Sequence, residues 1–395
     1  MKCKADVVCL SHLRWGFVFQ RPNHLISRCA RSRRTFFWEE PIFDAGVAPD
    51  GGHLQIREVS PGLRVAVPHL PQGLDDRAAE LAQRRLLDGM MAEHGVRSPV
   101  LWFYTPMALG FAGHVEAATV VYDCMDELSA FRGAPPALRS READLFARAD
   151  VVFTGGHSLY EAKRAQHPRV YPFPSSVDRE HFARARDERR FVREPEDQAP
   201  IGRPRVGYFG VIDERIDLHL VARVADAEPS WQIVMVGPVV KIDPKSLPRR
   251  PNIHYLGQKS YGDLPAYIAG WDVAMMPFAL NESTRFISPT KTLEYLAAGK
   301  PVVSTAVRDV VRPYGELGIA RIGEGATFVE AIAASLSRPA AQRAAADGYV
   351  ARTSWDRTWR AMWEIVERTG RERAAAPASS VEKIVQDEAG TCSTI

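Results

Sequence analysis

With 395 residues, the chain is longer than one hydrophobic core usually supports, so we expect two domains. The net charge of +3 is too small to argue for a nucleic-acid partner, and no apolar run approaches the roughly 20 residues of a membrane span. The five cysteines form no CxxC pair and the N-terminal apolar run is too short for a signal peptide, so we expect a cytoplasmic protein, or one peripheral to the inner face of a membrane.

The first half of the chain alternates short apolar runs with helical patterns, which is typical of a parallel α/β domain. The runs of strand length are residues 6–11, 34–40, 63–69, 99–106, 118–126 and 150–156. Helical periodicity separates several of them, notably at 76–94 and 141–149. Residues 1–178 are therefore predicted to form one Rossmann-like domain.

The stretch 179–203 is charged and poor in apolar residues, so it is predicted to be a linker. Strand-like runs resume after the linker, at 205–210, 231–238, 252–257, 271–278 and 301–305. This pattern predicts a second doubly wound domain over 204–350. A helix follows over 351–371, and residues 372–395 are predicted to be a flexible tail.

Three tryptophans of that last predicted helix recur at positions i, i+4 and i+8. They are Trp355, Trp359 and Trp363, and this spacing places them on one face of the helix. We therefore expect them to pack in a hydrophobic core.

One predicted helix of the second domain begins in a way that suits a phosphate. Ser288 is a good N-cap, Pro289 fits the first helical position, and Gly299 is placed to end the helix. Free N–H groups and the positive end of the helix dipole lie at its start, where Lys291 adds a full charge. Glu294 lies on the same face and suits the two hydroxyls of a ribose. The alternative is a surface helix with a salt bridge between Lys291 and Glu294.

This stretch, SPTKTLEYLAAGKPVVST, resembles the donor-nucleotide helix of retaining glycosyltransferases with the GT-B fold, a large family of bacterial mannosyl-, glucosyl- and galactosyltransferases. The resemblance implies an α/β protein of two Rossmann-like domains that face each other across a cleft, with a C-terminal helix that crosses back to the first domain. The family usually has two glutamates eight residues apart. Glu294 matches the second, but Phe286 stands at the position of the first, which affects the contact with the sugar.

The stretch VGYFGVIDER resembles the family's first strand and loop of the nucleotide domain, whose basic residue contacts the donor diphosphate. Arg215 is the match, because a guanidinium can bind phosphate oxygens in a bidentate way. The alternative is a surface pair of Arg215 with Glu214 or Asp217. Residues 257–261, GQKSY, occupy the segment where the backbone of the family contacts the base.

In the first domain, the loop after the first predicted strand takes the place of a glycine-rich loop. Gly16 allows close approach of the backbone, and Arg21 lies at a helix N-terminus. Trp15, Phe17 and Phe19 are unusual in a loop, and they either stack on a base or sugar or serve in packing. The residues predicted to bind the nucleotide-sugar are Gly16, Arg21, Gly210, Arg215, Ser288, Thr290, Lys291 and Glu294.

Three acidic residues, Asp123, Asp126 and Glu127, stand at the end of the predicted strand 118–126, which faces the cleft. Many members of the family carry a His-Asp pair there, whereas this chain has Met125 before Asp126. Asp126 and Glu127 are predicted to have catalytic roles. The third candidate is Glu282, which lies in the loop before the nucleotide helix and upstream of the missing glutamate.

The predicted function is transfer of a sugar from a nucleotide-diphosphate donor, most simply a UDP-sugar, to a saccharide or lipid-linked acceptor. Retention of configuration is implied by the resemblance. No metal or other cofactor is expected, since no Asp-x-Asp, GxxxxGK[ST], GxSxG, HExxH or GxGxxG pattern occurs. Two alternatives remain, a nucleotide-sugar 2-epimerase of similar fold and a non-catalytic partner protein that binds nucleotide-sugar. Phe286 and Met125 favour the latter.

Three stretches, SHLRW with QRP, YDCMDE and the nucleotide helix, also resemble a bacterial surface-polysaccharide subgroup. Some of its members are joined to a UDP-galactopyranose mutase module, which implies such a mutase as a partner and a galactosyl or galactofuranosyl donor. A group of basic residues either contacts anionic lipid, as a peripheral membrane site, or forms a solvated helix end. It consists of Arg28, Arg31, Arg33 and Arg34.

Overall fold

The apolar runs of the sequence form two separate, mainly parallel β-sheets, each with helices packed against it. The computed structural model describes residues 5–48, 51–186, 193–337 and 340–375. Parallel strands joined by helical crossovers are buried on both faces, which explains why these runs are continuously apolar.

Within the described residues, the N-terminal sheet has nine strands. They are β1 (Val7–Leu10), β2 (Thr35–Trp38), β3 (Ile42–Asp44), β4 (His53–Ser60), β5 (Leu63–Pro71), β6 (Val100–Phe103), β7 (Thr119–Cys124), β8 (Val151–Thr154) and β9 (Val170–Pro172). Their order is β3-β5-β2-β1-β6-β7-β8-β9, with β4 on β5. All the pairs are parallel except β4 with β5. The sequence did not predict β3, β4 or β9, because β3 and β4 are largely exposed and β9 is only half-buried.

In the described part of the N-terminal domain, five α-helices are present. They are α1 (Arg21–Ala30), α2 (Asp76–Glu93), α3 (Leu109–Ala112), α4 (Leu138–Arg148) and α5 (His157–Lys163). Helix α2 begins at an N-cap, where the Asp75 side chain accepts a hydrogen bond from the Ala78 backbone N at 2.7 Å. Both helical patterns predicted for this half of the chain are present, as α2 and α4.

As far as the structure describes the chain, the second sheet has six parallel strands in the order β12-β11-β10-β13-β14-β15. They are β10 (Arg205–Phe209), β11 (Gln232–Val236), β12 (Ile253–Gly257), β13 (Val273–Met276), β14 (Val302–Ser304) and β15 (Arg321–Ile322). The domain's helices are α7 (Leu218–Ala227), α8 (Leu264–Ala269), α9 (Thr290–Ala297), α10 (Arg308–Val310), α11 (Ala326–Leu336) and α12 (Ala340–Ala351), and α6 (Arg179–Ala183) precedes the sheet.

The described part of the predicted linker, 179–203, packs on the second domain. Phe182 of α6 belongs to that domain's hydrophobic core and is fully buried. Gln198 is also fully buried, and its side-chain oxygen accepts a hydrogen bond from Trp271 Nε1 at 2.9 Å. The stretch therefore has few apolar residues but places them at contacts with the second domain.

The last helix, α13 (Trp355–Ala375), crosses back to the N-terminal domain, and its tryptophan stripe is packed as the sequence predicts. Trp355 is fully buried and stacks on His24, with ring centroids 4.7 Å apart. Trp359 packs on Trp102 of the first sheet at 5.7 Å. The helix continues to Ala375, beyond the predicted start of a flexible tail at residue 372. The remainder of that tail, 376–395, lies outside the described residues.

Arginines at the end of α1 hold this crossing helix in place. Arg28 and Arg31 both pair with Asp356, at 2.9 and 2.7 Å. Arg33 pairs with Glu367 at 2.6 Å. These three arginines therefore form ion pairs within the protein. Their contacts do not support the alternative in which they bind anionic lipid. In the part of the chain that the structure describes, no helix combines the length and the apolar character needed to cross a membrane.

Candidate active site

The carboxyl ends of the two sheets face each other across a cleft of about 730 Å³. Its first wall consists of the loop between β1 and α1 and the residues after β7, and its second wall of the loops after β10, β11 and β12 with the start of α9. Ligands of open parallel sheets bind at this edge, so the cleft is the candidate site.

Helix α9 begins at the cleft, one residue later than the sequence predicted. Pro289 is its N-cap, with φ −65° and ψ 119°, and no side chain caps the helix. The predicted capping role of Ser288 is therefore wrong. Its backbone carbonyl instead accepts a hydrogen bond from Ser175 Oγ of the first domain at 2.9 Å. Ser288, Pro289 and Thr290 all line the cleft, so the positive end of the helix dipole still lies beside it.

Lys291 lines the cleft and lies against the loop after β10. Its amino group is 5.8 Å from the ring centroid of Tyr208. Burial, and then the charge of Arg215, lowers the pKa of Lys291 to about 8. The cleft thus holds a cation that a bound anion would stabilise.

Glu294 lies one turn further along α9 and is only 4% exposed. Burial raises the pKa of Glu294 to about 7, against the charge of Lys291. Among the described residues, Oε2 of Glu294 has no hydrogen-bond partner. A buried carboxylate oxygen without a partner at a cleft is a group that a ligand hydroxyl can satisfy.

The guanidinium of Arg215 is paired with Asp213. The alternative interpretation, a surface pair of Arg215 with Glu214 or Asp217, is therefore wrong. Nε of Arg215 lies 2.9 and 3.1 Å from the two carboxylate oxygens of Asp213, and Nη2 lies 2.6 Å from one of them. Although burial opposes its charge, the bonds to Asp213 raise the pKa of Arg215, which stays protonated. The guanidinium is therefore held at the wall of the cleft as a permanent cation.

Asp126 lines the cleft from the first domain. Burial raises the pKa of Asp126 to about 6, although the charges of Arg215, Arg21 and Lys291 act in the opposite direction. The positive charges of Arg215 and Lys291, in the second domain, therefore act on a carboxyl group of the first domain. It titrates close to neutral pH, as suits a group that handles protons or hydroxyls.

Three of the predicted site residues are engaged elsewhere or lie away from the cleft. Arg21 borders the cleft, but its guanidinium forms a buried ion pair with Asp123 at 2.9 Å. Glu127 pairs with Lys163 at 2.7 Å and does not line the cleft. Glu282 projects into solvent with 78% of its side chain exposed. The predicted ligand or catalytic roles of Arg21, Glu127 and Glu282 thus have no geometric support.

The loop after β1 brings three aromatic side chains to the cleft. Trp15, Phe17 and Phe19 all line it, and Phe17 and Phe19 are each 39% exposed. Gly16 lies beside them, and a Cβ at that position would meet nothing within 4 Å. The space for close approach exists at Gly16, but glycine is not required to provide it.

The sequence did not single out two further residues at the cleft. Tyr208 lies below the amino group of Lys291, and its hydroxyl donates to the Val211 carbonyl at 3.0 Å. Gly237 lets two loops touch, because a Cβ there would lie 1.9 Å from the carbonyl oxygen of Gly210. Gly237 could have been found in the sequence, because it directly follows an apolar strand, as Gly210 does.

The two departures from the family pattern lie on or near the cleft. Met125 lines it beside Asp126. Phe286 belongs to the loop of the second domain, yet it packs against a hydrophobic cluster of the first domain. An apolar contact between the domains therefore stands where the resemblance has a glutamate.

Comparison with known sequences supports a glycosyltransferase. Residues 203–338, almost all of the second domain, match the family model described as glycosyl transferases group 1. The proposed teichuronic acid biosynthesis glycosyltransferase TuaH of Bacillus subtilis (strain 168) is 27% identical over 206 residues. That alignment covers 47% of this chain and 50% of TuaH, so the chain spans about half the length of the curated relative it matches.

Solved structures of similar fold cover almost the whole chain. Sucrose-phosphate synthase from Thermosynechococcus elongatus has a TM-score of 0.66 at 15% identity, covering 94% of this chain and 100% of that one. Anabaena Alr3699/HepE in complex with UDP and glucose has a TM-score of 0.64 at 14% identity, covering 92% and 100%. A structure described as trehalose-6-phosphate from E. coli bound with UDP-2-fluoro glucose has a TM-score of 0.65 at 11% identity, covering 92% and 99%. These likenesses confirm the predicted GT-B fold.

Proposed function

We propose that this protein transfers a sugar from a nucleotide-diphosphate donor, most simply a UDP-sugar, to a saccharide or lipid-linked acceptor. Two solved structures of the same fold hold UDP or UDP-2-fluoro glucose, which supports the choice of donor. The name of TuaH supports a polysaccharide acceptor. A galactosyl donor, a mutase partner and a contact with the inner membrane face stay predictions from the resemblance.

The observation that carries this proposal is the convergence of cations beside one buried carboxylate. Arg215, Lys291 and the N-terminus of α9 all border the cleft, and Glu294 lies one turn along the same helix. A nucleoside diphosphate presents two phosphates and a ribose diol in that sequence. The cations match the phosphates, and the unpartnered oxygen of Glu294 matches a ribose hydroxyl.

The same groups would assist departure of the diphosphate. As the bond between the anomeric carbon and the phosphate oxygen breaks, negative charge develops on the leaving diphosphate. Arg215 is held in one orientation by Asp213, so its charge is in place before the reaction begins. Lys291 becomes more fully protonated as that negative charge grows, since an anion raises the pKa of a nearby amine.

Asp126 is the carboxyl group best placed to orient the sugar or the acceptor hydroxyl. It reaches the cleft from the first domain, opposite the phosphate-binding cations. With retention of configuration, as the resemblance implies, the leaving phosphate itself would accept the proton of the acceptor. Asp126 would then position a hydroxyl and would not act as a nucleophile.

Calorimetric titration with UDP tests the nucleotide site directly. Lys291→Ala and Glu294→Ala should each weaken binding by roughly 1–3 kcal/mol, the range for losing a hydrogen bond to a charged group. Glu282→Gln serves as the matched control, because this carboxylate is exposed and does not line the cleft. Unchanged affinity in both α9 variants would refute the proposed roles in diphosphate and ribose binding.

A second candidate function is nucleotide-sugar binding without transfer. It is favoured by Phe286, which occupies the position of the family's first glutamate and packs on the first domain. Transfer or hydrolysis of the donor above background would reject this candidate. Conversion of the donor to its 2-epimer without any acceptor would instead identify the epimerase.

A further inference from the structure

We propose that Phe17, in the loop between β1 and α1, is the stacking platform for the nucleobase of the donor. The first domain would then form part of the nucleotide site, and stacking on Phe17 would select ligands that carry a base. This inference rests on the proposed function, since it presumes a nucleoside diphosphate in the cleft.

The ring of Phe17 is placed differently from those of its two aromatic neighbours. Trp15 packs edge-on against Phe37 at 5.0 Å, and Phe19 stacks on Tyr261 at 4.3 Å. All three residues line the cleft, but Phe17, which is 39% exposed, contacts no other aromatic ring of the described chain. Of these three rings, Phe17 alone therefore lacks an aromatic partner within the described residues.

Contacts between the domains hold Phe17 beside the segment that follows β12. Gln258 Nε2 donates a hydrogen bond to the Phe17 carbonyl at 2.5 Å. The stacked rings of Phe19 and Tyr261, with an interplanar angle of 26°, make a second contact two residues further along. Phe17 is thus fixed at the junction of the two walls of the cleft.

The direction of a bound nucleotide places its base at this junction. The diphosphate would lie at the start of α9, and the ribose beside Glu294. The base is attached to the ribose on the side away from the 5′-phosphates, so it extends beyond Glu294. Tyr261, in the segment after β12, lines the cleft together with Glu294, and its ring stacks on that of Phe19, two residues from Phe17.

The loop that carries Phe17 is anchored at both ends. The backbone N of Trp15 donates to Glu39 at 2.8 Å, and Asn23 Nδ2 donates to the Trp15 carbonyl at 2.9 Å. Gln20 and Asn23 form a capping box at the start of α1. A platform held in this way loses little conformational freedom when a base stacks on it.

The experiment measures affinities for UDP and for inorganic pyrophosphate in the full chain. Phe17→Ala should weaken UDP binding about tenfold or more, the usual effect of removing one aromatic platform. Pyrophosphate affinity should be unchanged, because that ligand has no base. Phe17→Trp should retain UDP binding, which separates stacking from any effect on folding. Phe43→Ala is the control, because Phe43 is 45% exposed and does not line the cleft.

Three results would overturn the inference, and they are distinguishable. If the wild-type protein binds UDP and Phe17→Ala binds it equally well, the platform role is wrong while the nucleotide site stands. If the wild-type protein binds neither UDP, ADP, GDP nor pyrophosphate, the proposed function fails and this inference fails with it. Equal losses for UDP and pyrophosphate in Phe17→Ala would also contradict stacking, since only one of these ligands has a base.

Discussion

Asp309 of the second domain caps a helix of the first domain. Its Oδ1 accepts a hydrogen bond from the Ser158 backbone N at 2.9 Å, at the start of α5. Burial raises the pKa of Asp309, although the bonds from Ser158 act in the opposite direction. Arg308 also pairs with Glu161 of α5. These polar contacts therefore join the two domains.

Asp309→Ala should destabilise the protein by about 1 kcal/mol, the usual cost of removing an N-cap acceptor. Urea unfolding followed by circular dichroism measures this change. Asp309→Asn is the matched variant, because an amide oxygen still accepts the bond from Ser158. Equal unfolding midpoints for the wild type and the alanine variant would show that the contact does not hold the domains together.

The affinity for UDP should depend on pH through Lys291. Its pKa is lowered to about 8, so its ammonium is present below pH 8 and is lost as the pH rises through that value. A bound diphosphate raises the pKa, so binding weakens with increasing pH above about 8. Lys291→Arg should remove this decline between pH 7 and pH 9, since arginine stays charged. Parallel pH profiles for the two proteins would contradict the assignment.

The stability of the protein should also depend on pH, through Asp126. Its folded-state pKa of about 6 is above the ordinary value of 3.8, so the folded state binds more protons between those values. Stability therefore falls as the pH rises from 4 to 6. Asp126→Asn should be more stable than the wild type at pH 7, by about 1 to 3 kcal/mol, and no more stable at pH 4. Guanidinium unfolding at the two pH values checks the sign.

Substitutions at Asp126 and at Glu282 should have different effects on turnover. Asp126→Asn should lower turnover at least tenfold, about 1.4 kcal/mol of transition-state stabilisation, without weakening UDP binding. Glu282→Gln should keep wild-type turnover, because its side chain is exposed and does not line the cleft. Sugar transfer from a UDP-sugar, measured by UDP release, distinguishes the two. A large loss in Glu282→Gln alone would place the chemistry on the loop before α9.

Activity should survive excess EDTA. In the proposed mechanism, the cations that stabilise the leaving diphosphate are Arg215 and Lys291, assisted by the helix dipole of α9. These groups remain in place when divalent ions are removed. A transfer assay with and without EDTA measures this directly. Activity that is lost in EDTA and restored by manganese would refute the mechanism.

The sequence predicted the fold well, because buried parallel strands leave a direct record in it. Continuous apolar runs marked the central strands of both sheets, whereas the exposed β3 and β4 carry no such run. The nucleotide helix was predicted from local chemistry, including Gly299, whose φ of +74° ends the helix region as expected. The first residue of this helix was not predicted correctly, because Ser288 contacts Ser175, which is distant in the chain.

The partners of charged side chains were the least predictable part of the site. Arg21 and Asp123 are far apart in the chain, and no local pattern shows that they form a buried pair. Glu127 and Lys163 are also far apart in the chain, and they too form an ion pair. Sequence position identified acids near a strand end, and only the three-dimensional arrangement separated the cleft-lining Asp126 from its neighbour Glu127.

The contact between Gly210 and Lys291 gives the last prediction. Gly210 has φ +136°, which disfavours any other residue, and a Cβ there would lie 2.2 Å from Cε of Lys291. Gly210→Ala must therefore displace the lysine side chain from the wall of the cleft. We expect UDP binding to weaken by roughly 1–3 kcal/mol, as in Lys291→Ala, and the double variant to be no weaker than the single ones. Titration calorimetry on the three variants measures this coupling. Additive losses would show that Gly210 acts on the nucleotide independently of Lys291.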